Sequence, residues 1–183
     1  MFGRKRREVT ADPLAHVDPA AVPRRYAGHV AAALDARRRW QQVAGSMRAG
    51  AVQERLVAYG AQVDAGVLAV WDTVQRLVEI ERVVATLDID RVTDELKRVR
   101  RDPAADPAMV EALNARFVSV QRMMNAVDDA DARLRLLDAR LGAAVARAAE
   151  LALVPGVASG AGDDLGAVVV ELGALRAALD ELA

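Results

Sequence analysis

The chain carries two histidines, His16 and His29, serines only at positions 46, 119 and 159, and no cysteine. A zinc site draws on Cys, His and carboxylate ligands, and a Ser-His-Asp relay needs a serine displayed on a sharp turn. None of the three serines sits in such a turn pattern, and either histidine would have to recruit distant partners. His29, next to Val30, reads as an ordinary residue on a helix surface. The lack of cysteine excludes disulfides and thiolate chemistry and fits a reducing compartment. The expectation is therefore no catalytic residue, no metal site and no cofactor: a protein that is not an enzyme and takes no small-molecule substrate.

Three acidic or glycine-rich stretches resemble ligand loops at first sight. Segment 88–95, Asp-Ile-Asp-Arg-Val-Thr-Asp-Glu, has the acidic spacing of a calcium loop. It fails because Val92 stands where an oxygen ligand belongs and no glycine follows to turn the chain. Helix capping by Asp88 or Asp90 explains it better. Asp128, Asp129 and Asp131 fall inside a long helical stretch, with Arg133, Arg135 and Arg140 close in sequence, and read as a solvated face. Segment 160–166 opens a helix as phosphate loops do, but no strand precedes it, and Asp163 and Asp164 would repel a phosphate. A flexible linker followed by a cap fits these residues.

One cluster points toward a partner. Arg4, Lys5, Arg6 and Arg7 follow Met1 and Phe2. Near anionic lipid each basic residue contributes about 1 kcal/mol, so four of them with one Phe give weak, salt-sensitive attachment. The same tetrad could instead contact nucleic-acid phosphates, which demand only charge. Arg37, Arg38 and Arg39 precede Trp40, but three successive residues fan through about 300° of a helix and form no single patch. They read as a solvated face. The net charge of −1 hides a gradient: residues 1–50 balance at +6, 51–101 at −1, 102–154 at −2 and 155–183 at −4. The acidic remainder weighs against a nucleic-acid role, which stays the alternative reading.

The elements that must hold these residues are helical. Apolar residues make up 53% of the chain and aromatics only 3%; the helix formers Ala, Leu and Arg are abundant, which favours helices over sandwiches or barrels. Residues 1–22, with Pro13 and Pro19 and no apolar period, read as an unstructured basic arm without a secretory leader. From Pro23, a stripe of Tyr26, Val30, Ala33, Ala36, Trp40, Val43 and Met47 marks a first helix, which Gly45, Ser46 and Gly50 weaken toward a break. Val52, Leu56, Tyr59, Val63, Gly66, Val70, Thr73, Leu77, Ile80, Val84 and Leu87 then alternate steps of four and three. That is a 3.5-residue repeat over five heptads, with Gly66 and Thr73 its poor fillers. Val67, Trp71, Val74 and Val78 add a second stripe, so this helix needs neighbours on two sides and Trp71 should be buried.

A short helix from Asp88 or Asp90 to about Arg101 should face Val92, Leu96 and Val99 inward. Asp102, Pro103, Asp106 and Pro107 make a turn, and Pro107 starts a helix running to about Leu153. Its seam reads Val110, Leu113, Phe117, Val120, Met124, Val127, Ala130, Leu134, Leu137, Leu141, Ala144, Ala148 and Leu151. At 1.5 Å per residue it would be about 70 Å long. Residues 154–163 read as a Pro/Gly linker, and 164–183 as a Leu-rich helix whose Leu165, Val168, Leu172, Leu175, Leu179 and Leu182 pack on the bundle or on a partner.

The expected architecture is all-α: an elongated antiparallel helical bundle or coiled-coil hairpin of about five helices, with its body in 23–153. The expected role is a non-enzymatic scaffold or adaptor, with protein partners or self-association through its helical faces. Its expected place is the cytoplasm, touching the inner membrane face if the arm at Arg4, Lys5, Arg6 and Arg7 binds lipid.

Overall fold

The computed structural model describes residues 12–46, 51–153 and 161–181, and in them the apolar repeats become five α-helices with no strand. They are α1 (Arg24–Ser46), α2 (Ala51–Thr86), α3 (Ile89–Arg101), α4 (Pro107–Leu153) and α5 (Ala161–Asp180). The fold is an all-α helical bundle, as the periodicity predicts.

Local chemistry sets most of the boundaries. α1 begins directly after Pro23, whose carbonyl accepts from Tyr26 N at 2.8 Å. α1 ends at Ser46 and α2 begins at Ala51; the four residues between them, Gly50 included, lie outside the described residues. Asp88 caps α3: its backbone is left-handed, φ 43°, and its carboxylate accepts from Arg91 N at 3.2 Å. Asp is among the few non-glycine residues that take this conformation at small cost. Asp106 accepts from Ala108 N at 2.9 Å and starts α4 at Pro107. α5 begins at Ala161, three residues before the boundary the linker reading placed at 164. A glycine at 162 does not stop a helix that its Leu stripe holds against the bundle.

The heptad seam of α2 is the core. Val63, Gly66, Val70, Thr73, Leu77 and Ile80 are buried, with Val67 and Val74 beside them. Thr73 is tolerated because its Oγ1 donates to the Ala69 carbonyl at 2.7 Å, inside its own helix. A Cβ on Gly66 would lie 3.4 Å from Leu141 Cδ1 and 3.9 Å from Val169 Cγ2, so α2 closes onto α4 and α5 there. Trp71 is only half-buried; the buried indole is Trp40, whose Nε1 lies 3.1 Å from where a Gly60 Cβ would be and which meets Tyr59 edge-on, ring centroids 6.3 Å apart. Trp71 sits on the flank of the seam, where His16 reaches only its edge at 6.2 Å. Along α4, Leu113, Val120, Val127, Ala130, Leu134, Leu137, Leu141 and Ala144 are buried as expected, but Met124 is exposed and Met123 packs on the core in its place. In α5, Leu165, Val168, Leu172, Leu175 and Leu179 are all buried.

Cross-helix pairs give the topology. α1 runs antiparallel to α2, with Tyr26 on Glu81, Arg37 on Asp64 and Trp40 on Tyr59. Arg25 reaches Asp128 and His29 reaches Asp138, so α1 runs parallel to α4, and α2 and α4 are antiparallel. Arg176 with Asp72 and Arg140 with Glu171 place α5 parallel to α2 and antiparallel to α4. α1 and α5 therefore flank the central α2–α4 pair on opposite sides. α3 packs on the first turns of α4 alone, beyond the main core, with Arg100 bonded to Asn114 at 2.7 Å.

The arm is shorter than the sequence suggests. Of the stretch 1–22, residues 12–22 fold onto the bundle: Leu14, Val17 and Val22 are buried in the core, and a 3-10 turn at Pro19–Ala21 is capped by Asp18. Three apolar residues with irregular spacing carry no helical period, yet burying them in the core of the bundle offsets the entropy of ordering the segment. Arg37 pins it, giving both terminal nitrogens to Asp12 at 2.8 Å and its Nε to Asp64 at 2.7 Å. Arg37 is thus no solvated-face residue but joins three segments.

Candidate functional site

The basic tetrad Arg4, Lys5, Arg6 and Arg7 lies outside the described residues, as do Met47 and most of the 154–163 stretch. The polar constellation that the structure does describe lies between α1 and α4. Its centre is His29, 7% exposed, not the surface residue expected from its neighbour Val30. Tyr26, His29 and Val30 all fall on the buried side of α1, and His29 points across to α4.

Two α4 carboxylates meet the ring from its two ends. Asp131 Oδ1 lies 3.1 Å from Nε2, and Asp138 Oδ2 is in short contact with Nδ1. They are seven residues apart, two helical turns, so both project from one face. Asp131, read as part of a solvated acidic run, is 3% exposed. It is the one member of that run pointing inward, since Asp128 and Asp129 are exposed. Arg135 and, at 3.7 Å, Arg25 also approach Asp131. Arg25 in turn gives Nη1 to Glu81 at 2.8 Å and Nη2 to Asp128 at 2.7 Å, and Tyr26 donates its hydroxyl to Glu81 at 2.7 Å. Asp138 has His29 alone, and its Oδ1 is buried with no hydrogen-bond partner among the described residues.

The protonation follows from the geometry. With both carboxylates ionised, the His29 ring satisfies the two of them only when both nitrogens carry hydrogen, which is the imidazolium form. The hydrogen bond to Asp138 raises its pKa from the ordinary 6.5 against the opposing effect of burial, and Asp131 adds to the rise. Burial pushes Asp138 up as well, opposed by the hydrogen bond from His29. As a unit the pair holds its proton to higher pH than either free group would. Burial and the Glu81 contact similarly push the Tyr26 hydroxyl up.

This arrangement resembles a catalytic relay only in composition. In a relay the second imidazole nitrogen faces a nucleophile or substrate; here it faces a second carboxylate, and the ring is enclosed. The two ring nitrogens point in opposite directions, so Asp131 and Asp138 cannot share one ion with His29. No group of three His, Cys, Asp or Glu side chains is placed to hold a metal among the described residues. A cleft of about 310 Å³ opens beside the cluster, lined by Arg25, Glu81, Val84, Met124 and Asp128, among others. Its polar groups are already spent on one another.

The sequence carries one trace of this site: Asp131 and Asp138 lie one heptad apart, each three residues before a seam leucine, Leu134 and Leu141.

Comparison with family models, with curated proteins and with solved structures returns no match. No helix among the described residues is long and apolar enough to cross a membrane.

Proposed function

We propose that this chain is a non-enzymatic helical scaffold or adaptor, presenting long helical faces to partner proteins and contacting an anionic surface through Arg4, Lys5, Arg6 and Arg7. The observation supporting this reading is the anchorage of residues 12–22. Leu14, Val17 and Val22 are buried in the core and Arg37 clamps Asp12, so the chain that carries the tetrad leaves a rigid body at a defined point on the α1 flank. Arg7 lies five positions before Asp12, so covalent reach keeps it within about 17 Å of that anchor. A charged segment tethered this closely brings the bundle to whatever surface it binds. The surface favoured is anionic lipid at the inner membrane face, because Phe2 beside the tetrad adds an apolar contact that a bilayer takes up, and the sequence has no aromatic-basic interleaving of the kind nucleic-acid binders use.

The test replaces all four basic residues with Ser. Helicity and melting should be unchanged. Sedimentation with anionic vesicles at low salt should be abolished in the variant, and moderate salt should release the wild type. Binding to duplex that falls uniformly across sequences with a shallower salt slope would support the nucleic-acid alternative. A wild type that binds neither would leave only the helical faces as the working surface.

A further inference from the structure

The α1–α4 interface contains a titratable centre that the scaffold reading does not use. We propose that His29 is a proton-operated latch: protonated, it ties α1 to both Asp131 and Asp138 of α4, and on losing its proton it releases α1 from α4.

The argument is one of donors and acceptors. The imidazolium has two N–H donors, and each faces a carboxylate. A neutral ring keeps one donor and turns a lone pair toward the other carboxylate. The two carboxylates are not equally exposed to that loss. Asp131 retains Arg25 and Arg135. Asp138 keeps no cation: its Oδ1 has no partner among the described residues, its side chain is 13% exposed, and a neutral ring with its hydrogen on Nδ1 gives it a hydrogen bond but no charge. Deprotonation therefore either leaves a largely buried carboxylate without a counter-charge or forces the interface apart to let water in.

The other charged groups around the ring do not substitute for it. From α1 itself come Arg25, shared among Glu81, Asp128 and Asp131, and Tyr26, committed to Glu81 of α2. From α4 come Asp128, Asp131, Arg135 and Asp138, three of them acidic. The 3-10 turn that also packs on α1 is Pro-Ala-Ala and brings no charge. With Glu81 this makes four carboxylates against Arg25, Arg135 and the His29 proton, so losing that proton unbalances the site further.

α1 is the element free to respond. It packs on α2 and α4 along one flank, whereas α5 closes the opposite flank through contacts of its own. The fold raises the proton affinity of both His29 and Asp138, so the folded state binds protons more tightly than the unfolded chain. Interface stability is then fully present below the ordinary histidine value of 6.5 and is lost as pH rises through the raised folded value.

Hydrogen exchange of the full-length protein, corrected for intrinsic exchange chemistry, reads the latch directly. Between about pH 6 and pH 9 the opening equilibrium of α1 amides should rise severalfold, while α5 amides stay level. His29→Gln, which stays neutral at every pH, should remove the slope. Nitrogen-15 NMR of the wild-type side chain supplies a second readout that needs no variant to fold, since only His16 shares the spectrum. His29 should titrate above 6.5 and show both ring nitrogens protonated at neutral pH. A flat α1 profile, a slope shared equally by α5, a slope that survives His29→Gln, or a His29 titration at or below 6.5 would each overturn the proposal.

Discussion

His29, Trp40 and Trp71 show what a single side chain contributes here. His29→Ala strands Asp138 and weakens Asp131 in the interior, and breaking a buried pair by removing one partner costs about 3 kcal/mol or more. Denaturant unfolding at neutral pH should show a loss of that size. Trp40 is 3% exposed in the main core, so Trp40→Ala should cost about 3–5 kcal/mol, and Trp71→Ala distinctly less. Equal midpoint shifts for the two Trp variants would contradict this placement. At this scale the sequence was least legible. Apolar period assigns a side to each helix, but it does not say which of two adjacent stripes lies deeper; that depends on where the neighbouring helix axes fall. His29 and Asp138 are 109 residues apart, and nothing local to either names the other.

Among the elements, boundaries were legible because punctuation residues act locally: Pro23, Asp88, Asp106 and Pro107 cap or start helices through bonds to residues two to four positions on. The folded stretch 12–22 was not, since Leu14, Val17 and Val22 acquire meaning only against α1. That segment should respond to acid. The Arg37 hydrogen bonds, with help from Leu14 N, hold Asp12 below the ordinary carboxylate value of 3.8. The contribution is therefore present above that value and is lost as pH falls through the lowered folded one. Limited proteolysis should show cleavage within 12–22 rising under acid in the wild type. Arg37→Ala should show it already at neutral pH, since the clamp on Asp12 is gone. Helix interiors also carry avoidable weakness. A Cβ on Gly142 or Gly173 meets nothing within 4 Å, so Gly142→Ala and Gly173→Ala should each stabilise by about 0.5–1 kcal/mol, read as a higher denaturation midpoint.

At the scale of the molecule, the 47 residues of α4 set the dimension: at 1.5 Å per residue they span about 70 Å. A compact chain of 183 residues would have a radius of gyration near 16 Å, whereas a rod of this length should exceed about 20 Å. Solution scattering separates the two. The class of fold, the number of helices and the antiparallel pairing of α2 with α4 were legible from period and connection length. The placement of α1 and α5 on opposite flanks was not, because α2 displays two apolar stripes and the sequence does not say which neighbour takes which.

The long separation between His29 and its partners also sets an order of events during synthesis. As the chain leaves the ribosome, α1 and α2 can form their hairpin at once, with Arg37 closing on Asp12 and Asp64. Asp131 and Asp138 emerge about a hundred residues after His29, and until then His29 is a free imidazole facing water. A hairpin formed at that stage would hold His29 without either of its carboxylates until the second half of α4 arrives. Stalled chains ending before residue 131 should display a hairpin whose α1 is open to protease along the His29 side, and chains extended past 138 should not.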